Sequence, residues 1–124
     1  MKLEHVNITV PDPGASAAIL CDLFGWHVRW QGAAKDNGFT VHVGDDDSYL
    51  ALYAPDKDLQ PTGETYGRIG GLNHVGVTVD DLGGTEAKVK AAGYTPHNHA
   101  DYEPGRRFYF DGPDGIEFEV VTYD

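Results

Sequence analysis

Apolar and polar residues alternate along several short stretches of this chain. LEHVNITVPD, residues 3–12, and LNHVGVTVDD, residues 72–81, agree at six of ten positions, and both place β-branched residues at every second site. Period-two alternation predicts half-buried strands. Val6, Ile8 and Val10 should turn to one face, with His5, Asn7 and Thr9 on the other. In the second copy Val75, Val77 and Val79 share a face, and His74, Gly76 and Thr78 oppose them.

After each strand the pattern becomes helical. Asp12 followed by Pro13 makes an N-cap and first-turn pair ahead of SAAILCDLFG, and Asp81 precedes GTEAKVKAAG. Gly25 and Gly93 suit left-handed caps at the two helix ends. His5 and His74 stand 74 − 5 = 69 apart and the two glycines 93 − 25 = 68 apart, so the chain repeats one unit. Alternating runs follow in each half, WHVRWQG, FTVHVG and SYLALYA, then YTPHNHA, RRFYFD and IEFEVVTY, divided by Gly, Asp and Pro turn signals. Each half thus reads as strand, helix and three strands, a βαβββ module of an α+β fold. The first module spans residues 1–53 and the second 72–124 of one domain. Residues 54–71, punctuated by Pro and Gly, form a linker longer than an ordinary turn.

Composition narrows the setting. Nine basic against twenty acidic residues give a net charge of −11, which opposes binding to nucleic acid and to anionic lipid. No stretch approaches the roughly 18 apolar residues of a membrane span. The single cysteine, Cys21, lies in an apolar helical run and reads as a core thiol. A soluble, cytoplasmic protein is the expectation.

Two histidines at equivalent places of a duplicated unit point to convergence on one ion. A third ligand should come from IEFEVV, where Glu117 and Glu119 share a face; register decides between them. Subtracting the repeat, 119 − 68 = 51, sets Glu119 opposite Ala51, so one half carries a carboxylate where the other carries a methyl group.

LEHVNITV, LNHVGVTVDDL, TYGRIGG and FYFDGPDGIEFEVV together resemble the vicinal oxygen chelate superfamily, the glyoxalase, bleomycin-resistance and extradiol-dioxygenase group. The resemblance implies an open, cup-shaped mixed sheet with helices on its outer face. It also implies a divalent ion (Fe, Mn, Zn or Ni) held by His5, His74 and Glu119, the glutamate standing four residues after the glycine of PDG. It further implies Tyr109 as a substrate-contacting residue and a homodimer whose modules pair across chains.

Glyoxalase I-like relatives place a second glutamate at the position of Ala51. A methyl group cannot act as general base, which disfavours a lactoylglutathione lyase. A dioxygenase- or transferase-like, metal-dependent enzyme acting on a small molecule is the leading expectation; a non-catalytic, antibiotic-type binding protein of the same fold is the alternative. Two features depart from the fosfomycin-resistance transferases, Asn7 in place of a threonine and EPGRR in place of a Ser-rich loop. Residues 54–71 hold no histidine of the kind catechol dioxygenases carry there. Arg107, with Arg106 beside it, could fix an anionic substrate through paired donors. Asn7, Trp30 and Tyr53 are candidate substrate contacts, the aromatics forming a wall with Trp26, Phe39 and Tyr49. His97 and His99, on one side of an extended segment, could supply an acid or base.

Overall fold

A computed structural model describes residues 1–123. The chain divides into two units, Met1–Gln60 and Pro61–Asp124. Unit one runs β1 (His5–Thr9), α1 (Pro13–Phe24), β2 (His27–Ala34), β3 (Gly38–Gly44) and β4 (Tyr49–Ala54). Unit two repeats this as β5 (Val75–Thr78), α2 (Leu82–Ala91), β6 (His97–Tyr102), β7 (Gly105–Asp111) and β8 (Glu117–Thr122), with a 3-10 turn at Pro113–Gly115. Each unit is therefore βαβββ.

Both sheets share one topology, β1-β4-β3-β2 and β5-β8-β7-β6. The first and last strands of each unit pair in parallel and the remaining pairs are antiparallel. A mixed sheet follows because the helix carries the chain over one face before it returns as a hairpin meander.

The caps form as the sequence predicts. Asp12 accepts from the Ala15 amide and Asp81 from the Gly84 amide, satisfying first-turn donors at both N-termini. Gly25 closes α1 at φ 70 with its N–H on the Cys21 carbonyl. In α2 a residue intervenes, Ala92 being the cap and Gly93 taking φ 95 just beyond it.

Alternation decides the cores. In unit one Val10, Leu20, Val41, Val43 and Leu52 are fully buried. In unit two the helix-facing set is aromatic, Phe108, Phe110 and Phe118, with Val89 of α2 buried beside them. Phe110 stacks on Phe118 with ring centroids 5.3 Å apart. Burial of each such side chain stabilises its unit by roughly 1.5–3 kcal/mol. The opposite face of each sheet is thereby left to polar and titratable residues. Among the described residues no helix is long and apolar enough to cross a membrane.

Candidate functional site

The register shows where the repetition holds and where it fails. In unit one Asn7 and His42 flank Ala51; in unit two Gly76 and Tyr109 flank Glu119. The offsets, 76 − 7 = 69, 119 − 51 = 68 and 109 − 42 = 67, make Ala51 the structural counterpart of Glu119. His42, to which sequence reasoning gave no role, is the counterpart of Tyr109.

In unit two, His74 stands just before β5 with its ring between the two glutamates of β8. Its Nε2 is 2.9 Å from Glu119 Oε2 and its Nδ1 is 3.5 Å from Glu117 Oε1. Sequence posed the two glutamates as alternatives; each takes one ring nitrogen. Tyr66, from the segment ahead of β5, brings its hydroxyl to 3.2 Å from His74 Nδ1 and donates a short hydrogen bond to Glu117. That bond, with burial second, pushes the Tyr66 phenol up to about 12. Tyr66 was not singled out from sequence, although TYGRIGG contains it, and Glu117 stood there only as the alternative to Glu119.

Glu119 is held from its other oxygen as well. Oε1 accepts from Arg107 Nη1 at 2.7 Å, while Arg107 Nη2 donates to the Gly105 carbonyl at 3.3 Å and the guanidinium lies 4.9 Å over the Tyr102 ring. Burial, the largest single influence, works against the Arg107 charge, but the Glu119 hydrogen bond and charge together with the Tyr102 and Tyr109 phenols exceed it, so its pKa rises. The residue expected to grip substrate instead grips the expected metal ligand. Tyr109, cross-strand from Glu119, sets its ring edge-on to His74 at 5.5 Å. Burial, then the Glu119 charge, raises its phenol above the ordinary value.

The two histidines of PHNHA do not share a side. Asn98 takes φ 53 and the register shifts between His97 and Ala100. A bulge of this kind reverses the parity of the residues beyond it. His97 stacks on Tyr109 at 6.3 Å, whereas His99 stacks on buried Phe108 at 6.0 Å and pairs with Glu86 of α2. His99 is thus a contact of the helix face.

In unit one, His5 Nδ1 lies 2.8 Å from Glu4 Oε1, and the Tyr49 hydroxyl donates to the same oxygen at 3.2 Å. The His5 contact, then the Tyr49 bond, lowers the Glu4 pKa. The Tyr49 ring stacks 4.9 Å from His5 and 4.5 Å from His42, and Trp30 tilts onto His42 at 5.2 Å. Arg29 lies 4.8 Å over Tyr49. The register shift between Val28 and Trp30 lets the consecutive residues Arg29 and Trp30 reach the same face. Burial, then the His5 charge, lowers the His42 pKa. Asn7 is exposed beside Ala51. Of the expected aromatic wall, Trp30 and Tyr49 join this cluster. The Tyr53 hydroxyl donates to the Lys35 carbonyl at 3.1 Å, Trp26 packs on Phe24 at 4.9 Å, and Phe39 follows Val41 and Val43 in the strand's alternation.

The donors suit a divalent ion. Two ligands about 2.1 Å from one metal stand roughly 3 Å apart, and His74 Nε2 lies 2.9 Å from Glu119 Oε2. A carboxylate can only accept, so the 2.8 Å contact with Glu4 puts the His5 proton on Nδ1 and leaves Nε2 with a free lone pair. His74 has the same kind of support, with Glu117 and Tyr66 at Nδ1. Such partners at the distal nitrogen are what metal-bound histidines ordinarily carry.

The family model of the Glyoxalase/Bleomycin resistance protein/Dioxygenase superfamily matches residues 2–120. Among solved structures the chain is similar to a glyoxylase/bleomycin resistance protein/dioxygenase domain from Frankia sp. EAN1pec, at 19% identity over 100% of this chain and 98% of that one, TM-score 0.83. It is also similar to TnmS3, an antibiotic binding protein from Streptomyces sp. CB03234, at 17% identity over 100% and 97% of the two chains, TM-score 0.76. A variant of the fosfomycin resistance protein FosX from Listeria monocytogenes, complexed with Mn(II) and 1S,2S-dihydroxypropylphosphonic acid, matches at 18% identity over 97% and 90%, TM-score 0.71. No curated protein matches in sequence.

Proposed function

The chain belongs to the glyoxalase/bleomycin resistance protein/dioxygenase superfamily, and within it we propose a metal-dependent enzyme acting on a small molecule, its ion held by His5, His74 and Glu119. The observation that carries this reading is the approach of His74 Nε2 to Glu119 Oε2 at 2.9 Å, with the other ring nitrogen already occupied by Tyr66 and Glu117. When bound, such an ion supplies Lewis-acid polarisation of a bidentate oxygen ligand or, as iron, a meeting point for substrate and dioxygen.

The residues around it have separable tasks in this proposal. Arg107 fixes Glu119 through Oε1 and so leaves Oε2 for the ion. Tyr109, held protonated at neutral pH, donates a hydrogen bond to a substrate oxygen. Trp30 and Tyr49 offer ring faces for a flat ligand. Ala51, buried where a second carboxylate would stand, argues for dioxygenase- or transferase-like chemistry over lactoylglutathione lyase. A homodimer with modules paired across chains belongs to the same proposal, since two-fold dimers are the commonest soluble assemblies.

One observation favours a second reading as a non-catalytic binding protein. His5, Tyr49 and His42 stack on one another and Trp30 tilts onto His42, forming a continuous ring cluster, and the fold is shared with an antibiotic binding protein. Metal analysis separates the two. Protein purified anaerobically from cultures supplied with iron, manganese, zinc or nickel should carry a stoichiometric ion that His74→Ala and Glu119→Ala lose while keeping native circular dichroism. Metal-free protein from every supplemented culture would sink the enzyme reading.

A further inference from the structure

The geometry points to a second divalent-cation site in unit two, formed by His97, Asp111 and Glu117. One ligand atom from each of these residues lies within 4.8 Å of the other two. They come from three consecutive strands. His97 opens β6 cross-strand from Tyr109 of β7, and Asp111 ends β7 cross-strand from Glu117 at the start of β8.

Two features of this group are costly as the side chains stand and are relieved by a cation. Asp111 and Glu117 are like charges directly opposite each other, an arrangement that destabilises a strand pair. His97 Nε2 is buried and has no hydrogen-bond partner. Its nearest acidic oxygen, Asp111 Oδ2, is 3.8 Å away, too far for a hydrogen bond. An ion between the two would satisfy both, since ligands of one metal stand roughly 3–3.5 Å apart.

The surroundings permit closure. Asp111 is 66% exposed, so its carboxylate can move inward without repacking, and the open side leaves positions for water. Glu117 gives Oε1 to Tyr66 and His74, which leaves Oε2 for the ion. One imidazole and two carboxylates suit a first-row divalent metal such as zinc or manganese rather than copper(I). The bulge at Asn98 turns His99 to the helix face and leaves His97 as the β6 histidine beside Tyr109.

The test is equilibrium dialysis of the chelator-stripped full chain against graded zinc, with bound zinc counted by elemental analysis. Asp111→Asn, an exposed isosteric change, and His97→Gln remove ligands of this site; Glu119→Gln acts on the proposed enzymatic ion. Wild type should bind two zinc ions, and Asp111→Asn and His97→Gln one, with the lost ion bound at least tenfold more weakly. Glu119→Gln should retain the ion that Asp111→Asn loses. Unchanged stoichiometry and affinity in both Asp111→Asn and His97→Gln overturns the proposal. So does a single wild-type ion that is lost in Glu119→Gln and kept in Asp111→Asn. A single ion with the opposite dependence supports this site and contradicts the enzymatic one.

Discussion

Replacing Ala51 with glutamate asks the chain to complete its own repeat. Ala51 is 3% exposed and faces Asn7 and His42 across neighbouring strands, where Glu119 faces Gly76 and Tyr109. Without metal the new side chain both overpacks and desolvates a carboxylate that has no Arg107 counterpart, since Thr40 stands at the matching place, 107 − 67 = 40. Overpacking alone costs roughly 1–3 kcal/mol, so a total of about 3 kcal/mol is expected. With a urea m-value of about 2 kcal/mol/M that lowers the unfolding midpoint by roughly 1.5 M. If position 51 looks onto the same ion as Glu119, the added carboxylate tightens zinc binding about tenfold, or 1.4 kcal/mol. Saturating zinc should then return part of the lost stability. The assay is urea unfolding with and without zinc, alongside calorimetric zinc titration. Unchanged zinc affinity in a folded, destabilised Ala51→Glu protein would refute the reasoning that position 51 looks onto the ion proposed for Glu119.

Further predictions concern the supporting residues and the core. Tyr66→Phe removes the hydroxyl shared by Glu117 and His74 and should weaken metal binding roughly 10-fold or more at unchanged fold, measured by competition with a chromophoric chelator. Because the folded Tyr66 phenol titrates at about 12 against 10 when unfolded, its stabilisation is complete below pH 10 and lost as pH rises through 12. Tyr66→Phe should flatten that alkaline decline in a melting series. Glu86 is held below its usual 4.5 by the His99 hydrogen bond, so its contribution is present above pH 4.5 and lost as pH falls through the folded value. Glu86→Gln should lower the melting temperature at pH 7 and converge with wild type near the acid limit. Phe118→Ala opens a hole beside Phe110 and should cost about 3–5 kcal/mol in urea unfolding.

Strands, helices and caps were legible from alternation and from the two Asp N-caps, because those signals are local. The correspondence of Glu119 with Ala51 was legible too, since subtraction along a duplicated chain survives folding when loop lengths differ by a residue or so. Side-chain direction failed where a strand bulges. Parity counting put His97 and His99 together, and one residue at φ 53 sent them to opposite faces. The same effect hid Arg29, whose strand slips one place before Trp30. Tyr66 lay in a segment with no periodicity, so only the folded path of the linker brings it to His74. His42 could have been found by carrying the subtraction to 109 − 67 = 42, which sets it level with Tyr109.

The proposed function requires one ion held by His5, His74 and Glu119. Zinc titration by calorimetry in the Asp111→Asn background, with His5→Ala and His74→Ala added separately, tests it most directly. The account predicts that both substitutions weaken the remaining ion by about 100-fold or more, a larger loss than an outer partner such as Tyr66 need produce. Zinc affinity in the His5→Ala protein within about threefold of its parent, or 0.7 kcal/mol, would contradict it.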